Sequence, residues 1–147
     1  KKIESLGVNL AYVTLHIGPG TFKPVKTDDI TEHIMEPESF SICDETIKLI
    51  KEARFKKRRI FTVGTTTLRS LEAYAQGVNA GQTNLFIYPG YKFKIADCLL
   101  TNFHLPKTTL FMLACAFCGE DFVKKAYRQA IEKKYRFYSY GDAMLII

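Results

Sequence analysis

Residues 13–22, VTLHIGPGTF, are the stretch around which this 147-residue sequence is organised. The β-branched, apolar and aromatic residues of 11–17 are typical of a strand. The strand then breaks at the Gly-Pro-Gly turn of residues 18–20, because glycine has free torsions and proline has a fixed φ. His16 precedes the turn and Thr21 follows it, so a titratable ring and a hydroxyl are expected at the carboxyl end of a strand, where α/β sheets bind ligands. A core histidine beside a tight turn is the alternative.

The composition is that of an ordinary globular domain. Hydrophobic residues make up 47% and charged residues 24% of the chain, whose length suits one domain with its own core. The longest apolar run, residues 110–118, is too short to span a bilayer, and no signal peptide is visible. The four cysteines lie in apolar segments and lack the density of a secreted disulfide scaffold. We therefore expect a cytoplasmic protein with no membrane partner.

Positive charge is distributed unevenly along the chain. The formal net charge is +6, and basic residues gather in segments 54–59 and 124–136. Such runs form either solvated faces or a nucleic-acid footprint, and charge alone does not separate the two. The chain begins with Lys1, and residues 1–7 resemble the last turn of a helix with a glycine cap. We therefore expect the sequence to start within a longer protein.

Alternating strand and helix patterns predict a three-layer α/β/α domain with a largely parallel, mixed sheet. Helices are expected where apolar residues recur at helical spacing, over 45–55, after residue 67, over 108–117 and after residue 119. Strands are expected over residues 11–17, 39–43, 59–63, 83–88, 94–100 and 143–147.

All three histidines occupy segments bounded by turns. His16 precedes the Gly-Pro-Gly turn, His33 precedes a Glu-Pro-Glu segment, and His104 lies two residues before a proline. Histidine titrates near neutral pH and acts as an acid or a base, and Glu36 and Glu38 are carboxylates that can orient it. Alternatively, each histidine only satisfies the backbone of its loop.

Residues 64–67, GTTT, lie between a predicted strand and a predicted helix. Their backbone N–H groups and hydroxyls are suited to a phosphate, a carboxylate or a sugar hydroxyl at a helix N-terminus, and Arg69 adds a charge. The segment matches neither a Walker loop nor GxGxxG. The alternative is a threonine helix cap, with Arg69 paired to Glu72.

Two other motifs favour structural roles. Cys115 and Cys118 form a single CxxC inside an all-apolar helix, without the further ligands that zinc needs, so we expect core packing. The aromatic segment 135–140 has the composition to stack on bases beside its arginine, but packing near a sheet edge is the commoner use.

Taken together, six segments resemble, in the same order, the S-adenosylmethionine:tRNA ribosyltransferase-isomerase family of queuosine biosynthesis. They are TLHIGPGTF (14–22), EHIMEPE (32–38), VGTTTLRSLE (63–72), FIYPGY (86–91), TNFHLPK (101–107) and YRFYSYGDAM (135–144). The resemblance implies that residues 1–147 are the C-terminal part of the family's α/β catalytic domain. The family's N-terminal portion and its inserted β-barrel domain are not in this sequence.

The resemblance implies an enzyme that transfers the ribosyl unit of S-adenosylmethionine to 7-aminomethyl-7-deazaguanine (preQ1) and isomerises it, giving epoxyqueuosine-tRNA and releasing adenine and methionine. The implied partners are S-adenosylmethionine as cosubstrate and tRNA carrying preQ1 at the anticodon wobble position. No metal and a monomeric state are expected. A non-catalytic nucleotide- or RNA-binding module, and a fragment inactive without the N-terminal portion, are the alternatives.

The reaction requires a base beside the sulfonium centre and an acid for the departing adenine. The residues predicted to supply them are His16, His33, Glu36, Glu38 and His104. The residues expected to bind the cosubstrate are glycines and polar side chains of the same turns: Gly18, Gly20, Thr21, Gly64, Thr65, Thr66, Arg69, Thr101 and Asn102. The 64–69 turn binds either the cosubstrate or a tRNA phosphate.

Overall fold

The computed structural model describes residues 2–18, 21, 25, 27, 29–78 and 80–147. Four α-helices lie within them: α1 (Asp44–Phe55), α2 (Thr65–Tyr74), α3 (Thr109–Cys118) and α4 (Glu120–Glu132). Six strands accompany them: β1 (Thr14–His16), β2 (Glu38–Ser41), β3 (Phe61–Val63), β4 (Ala80–Thr83), β5 (Cys98–Asn102) and β6 (Ala143–Ile146). The predicted α/β class is confirmed.

The strands form two three-stranded sheets. One has the order β1-β2-β4 with both pairs antiparallel, and the other has the order β3-β5-β6 with β3–β5 parallel and β5–β6 antiparallel. A crossover that contains α2 returns the chain in the same direction at β5, whereas the α3–α4 pair brings β6 back antiparallel. The mixed sheet is thus present, but parallel pairing, expected to dominate, is confined to one pair among the described strands.

Two strands differ in position from the sequence prediction. The strand expected over 83–88 is found at β4, which shares only Thr83 with it, and the strand expected over 94–100 is found at β5. The shift of β5 follows from Glu72. Its buried carboxylate accepts hydrogen bonds from the backbone N–H groups of Lys94, Ile95 and Ala96 at 2.9, 2.9 and 3.1 Å. Those N–H groups are therefore not available to a strand ladder.

Buried apolar side chains form three clusters. One joins α1, α2 and β2, the second lies between α2, α3 and the β3-β5-β6 sheet, and the third joins α3 to α4. Cys115 belongs to the third cluster, where burial raises the pKa of its thiol to about 11. The sulfur is therefore a protonated core group, in agreement with the structural role expected for the CxxC motif. Within the described residues, every helix is too short or too polar to cross a membrane.

Candidate active site

A cleft of about 320 Å³ opens where the parallel strands β3 and β5 end. Its lining comes from the segments that follow β1 and β3 and from the end of β5 and the residues after it. The first turn of α3 and the segment before β6 complete it. The lining residues are Ile17, Thr21, Gly64, Thr65, Thr66, Thr101, Asn102, His104, Leu110, Tyr138 and Ser139. The carboxyl ends of parallel strands are where α/β sheets bind ligands.

The cleft brings together part of the site predicted from the sequence. The predicted residues in its lining are Thr21, Gly64, Thr65, Thr66, Thr101, Asn102 and His104. The predicted residues outside that lining are His16, Gly18, His33, Glu36, Glu38 and Arg69. Gly20 lies outside the described residues.

His104 is the histidine of the cleft. Its Nε2 atom lies 2.8 Å from the Thr101 hydroxyl, and its backbone N–H donates to the Tyr127 hydroxyl at 2.7 Å. Burial lowers the pKa of His104 to about 4, because the charged imidazolium loses its hydration. At neutral pH the ring is uncharged, so it does not repel a cationic ligand.

The N-terminus of α2 borders the same cleft. Gly64 is the N-cap residue, with φ 88° and ψ 147°, a conformation that is essentially restricted to glycine, and it has no side chain with which to cap the first turn. The expected alternative of a threonine cap is therefore wrong. The Thr67 hydroxyl instead donates to the carbonyl of Val63 at 2.8 Å. The helix dipole and the first-turn N–H groups, which no N-cap side chain among the described residues satisfies, favour an anionic group here.

Glu38 and Arg69 form a buried ion pair beside the cleft. Arg69 Nη1 lies 2.5 Å from Glu38 Oε2, and both side chains are almost completely buried. Glu38 Oε1 accepts hydrogen bonds from the Gly18 N–H at 2.8 Å and from the Thr21 hydroxyl at 2.7 Å. The pair therefore holds Gly18 and Thr21, which follow β1. The alternative pairing of Arg69 with Glu72 is wrong.

The other predicted acid–base residues lie elsewhere. His16 is exposed on β1 opposite Ser39, and His33 is half-buried with its ring edge against Phe86, 5.0 Å between ring centroids. Glu36 is exposed. The three imidazoles therefore do not share one lining within the described residues.

Sequence reasoning did not assign four lining residues: Ile17, Leu110, Tyr138 and Ser139. Tyr138 has φ 60°, which is uncommon for a residue with a side chain, and its N–H donates to the Phe103 carbonyl at 2.9 Å. Its position in the last of the six family-like segments, 135–144, is the feature of the sequence that points to it as a site residue. The sequence predicts that aromatic residues of this segment pack near a sheet edge or stack on a base. In the structure, Tyr138 lines the cleft.

The fold and the cleft define an α/β domain with an open cleft at the ends of its parallel strands, the place where α/β sheets bind ligands. The model of the family described as "Queuosine biosynthesis protein" matches residues 1–146, and the chain belongs to that family. The resemblance found in the six segments is thereby confirmed.

Curated relatives match this chain over all or nearly all of its length. The S-adenosylmethionine:tRNA ribosyltransferase-isomerase of Sulfurihydrogenibium sp. is 56% identical over 100% of this chain and 44% of its own length. The protein of the same name from Polynucleobacter necessarius is 56% identical over 99% of this chain and 42% of its own length. This chain therefore spans less than half the length of these relatives.

One solved structure supports the same assignment. The crystal structure of S-adenosylmethionine tRNA ribosyltransferase from Thermotoga maritima superimposes with a TM-score of 0.72 at 50% identity. The match covers 75% of this chain and 41% of that one. At this identity the likeness concerns both the fold and the family.

Proposed function

We propose that this chain supplies part of the active site of an enzyme that transfers the ribosyl unit of S-adenosylmethionine to preQ1 in tRNA and isomerises it. The products are epoxyqueuosine-tRNA, adenine and methionine. The observation that carries the proposal is the cleft, because four of the six family-like segments contribute to its lining: 14–22, 63–72, 101–107 and 135–144. The names of the relatives support S-adenosylmethionine and tRNA as substrates.

His104 is our candidate for the group that removes the proton beside the sulfonium centre. The depressed pKa of His104, about 4, keeps the imidazole neutral, so a sulfonium cation meets no like charge in this wall of the cleft. Thr101 orients the ring through its hydroxyl at 2.8 Å. A removed proton passes to the ring directly or through that hydroxyl. His16, His33 and Glu36 stay predicted acid–base groups, whereas we assign Glu38 a positioning role because Arg69 pairs with it.

The N-terminus of α2 is our candidate for an anion site. Gly64, Thr65 and Thr66 line the cleft, and the N-cap residue is a glycine, which offers the first turn no side-chain cap. A helix N-terminus of this kind suits the carboxylate of the cosubstrate or a phosphate of tRNA. Tyr138 lines the same cleft, and an aromatic residue there suits stacking on a base.

The test is transfer of label from S-adenosylmethionine, radiolabelled in the ribose, to tRNA that carries preQ1. The assay compares this chain alone with a chimera in which the chain replaces the matching region of the Sulfurihydrogenibium relative. We expect label in tRNA from the chimera, and a fall in kcat of two to about four decades for His104→Gln. Near-normal rates for His104→Gln, His16→Gln and His33→Gln would dispose of the histidine assignment. Binding without transfer by both proteins would favour a nucleotide- or RNA-binding module.

A further inference from the structure

Tyr127 reaches from α4 to the backbone of the histidine in the cleft. Its hydroxyl accepts a hydrogen bond from the His104 N–H at 2.7 Å, and Tyr127 is only 6% exposed. Burial raises the pKa of the Tyr127 hydroxyl to about 12, so the group is protonated and neutral at pH 7. Within the described part of the chain, Tyr127 is not a lining residue of the cleft, so it acts on the cleft through His104.

The His104 N–H needs this partner because of where β5 ends. The strand stops at Asn102, and His104 lies two residues further along the chain and is 9% exposed. A buried backbone N–H beyond the end of a strand ladder needs another acceptor, because an unpaired donor loses its hydrogen bond to water without replacement. The acceptor that the fold supplies is the Tyr127 hydroxyl, from a helix residue 23 positions later in the chain.

Three phenylalanine rings hold the Tyr127 ring in place. Phe103, Phe111 and Phe137 meet it in T-shaped contacts, with ring centroids 5.3, 5.2 and 5.6 Å away. T-shaped packing is a favourable geometry for aromatic pairs, and close packing in a core leaves a ring little freedom to change rotamer. The three rings come from the end of β5, from α3 and from the segment before β6. The position of the Tyr127 hydroxyl is therefore fixed by the core.

We propose that Tyr127 is a positioning residue for His104. The histidine then has two anchors: the Tyr127 hydroxyl at its backbone N–H, and the Thr101 hydroxyl 2.8 Å from its ring Nε2 atom. The first anchor fixes where the side chain begins and the second fixes how the ring is turned, so the imidazole is oriented before a ligand binds. The proposal rests on the proposed function where it assigns His104 to proton transfer, whereas the contact between the two residues is independent of the reaction.

Loss of the Tyr127 hydroxyl is expected to bring water to His104. Tyr127→Phe keeps the aromatic ring but leaves the buried His104 N–H without its acceptor, and a water molecule is the natural replacement. Water beside the histidine hydrates the imidazolium, so the pKa of His104 should rise from about 4 toward its ordinary value of 6.5.

The test is an NMR titration of the histidine ring protons in this chain and in its variants. We expect Tyr127→Phe to raise the pKa of His104 by at least about one unit. His16 and His33 are internal references and should give the same titration curves in every sample.

Tyr135→Phe is the matched control. The Tyr135 ring also stacks on Phe103, with 5.9 Å between ring centroids, but Tyr135 is 48% exposed, so loss of its hydroxyl should leave the His104 curve unchanged. Urea unfolding of both variants establishes that they fold. If Tyr127→Phe does not fold, Phe111→Leu takes its place. This change loosens the packing of the Tyr127 ring and keeps its hydroxyl, so it should raise the pKa of His104 by a smaller amount.

Kinetics of the chimera give a second readout. Tyr127→Phe should lower kcat by about ten- to a hundredfold, because a displaced base loses its alignment with the proton that it removes. KM for S-adenosylmethionine should change little, since Tyr127 does not line the cleft. Tyr135→Phe should retain the kcat of the unmodified chimera.

Three outcomes separate this proposal from the proposed function. A folded Tyr127→Phe protein with an unchanged His104 titration would overturn the proposal and leave Tyr127 as a packing residue. A shifted titration with a normal kcat would overturn its part in the reaction. A shifted titration when neither the unmodified nor the variant chimera transfers label would contradict the proposed function and support the positioning of His104 by Tyr127.

Discussion

His104 and Glu38 are ionisable residues that the tertiary structure buries beside the same cleft, and they are stabilised in different ways. His104 contacts a hydroxyl, and burial lowers its pKa so that it stays in its neutral form. Glu38 contacts a guanidinium, a hydroxyl and a backbone N–H, so it is buried as part of an ion pair. The first arrangement leaves an uncharged imidazole at the cleft, whereas the second holds the backbone of Gly18 in place.

His104 is expected to make stability depend on pH. Its folded pKa, about 4, lies below the ordinary value of 6.5, so between these values the unfolded chain binds a proton that the folded chain does not. Stability is therefore complete above pH 6.5 and falls as the pH drops toward 4, by about 2 kcal/mol between pH 7 and pH 5. Urea unfolding at the two pH values should show a smaller loss for His104→Gln. His16→Gln is the control and should retain the full dependence; an unchanged dependence in His104→Gln would contradict the assignment.

The Glu38–Arg69 pair is expected to be sensitive to loss of one partner. Glu38→Gln leaves the buried Arg69 without its counter-ion, and we expect a loss of about 3 kcal/mol in the free energy of unfolding, measured with urea. Glu52→Gln removes an exposed carboxylate that pairs with Lys56 four residues on, and should change stability little. Similar effects of the two substitutions would show that burial of the Glu38 pair has no energetic consequence.

At the scale of elements, helices followed the sequence more closely than strands. The apolar spacing that predicted α1, α3 and α4 is local, and each helix satisfies its own backbone. Strand β4 is Ala-Gly-Gln-Thr, a composition with little strand preference, and its backbone pairs with β2, about 40 residues earlier. Pairing with a distant strand therefore outweighed local preference.

The entry into α2 is expected to require glycine. Gly64 has φ 88°, and a methyl group built on it meets no atom within 4 Å, so the cost of Gly64→Ala is one of backbone conformation. We expect a loss of about 1–3 kcal/mol in the free energy of unfolding. Gly18→Ala is the matched control, because its φ is outside the positive range and the new methyl would meet only the Glu38 side chain at 3.9 Å. Equal losses at the two positions would contradict this explanation.

At the scale of the whole molecule, basic residues exceed acidic ones by six, and some of the basic side chains are engaged in ion pairs. Arg54 pairs with Asp97, Lys124 with Glu120, and Arg136 with Asp142. The run at the end of α1 continues with Lys57, Arg58 and Arg59, which are exposed. These three positions are the better candidates for phosphate contacts.

Binding of tRNA by the chimera is expected to weaken steeply with salt. Each phosphate that a basic residue neutralises releases counterions, so the logarithm of the binding constant falls with the logarithm of salt concentration. Replacement of Lys57, Arg58 and Arg59 by Gln should flatten that slope by at least about one unit. Lys48→Gln, at an exposed position on α1, should alter it by less. A flat response in the unmodified chimera would exclude the basic segments from tRNA binding.

Local patterns in the chain were sufficient for the α/β class, for most helices, for the family and for seven of the residues that line the cleft, because periodicity, turns and short motifs involve neighbours along the chain. The assembly of the cleft depended on the three-dimensional fold. Arg69 selects Glu38, 31 residues away, over the nearby Glu72, because the turn after β1 and the helix α2 meet there. Glu72 in turn is used by the backbone of residues 94–96. Such choices are made by burial, which places a charge only where a partner from a distant segment can compensate for its lost hydration.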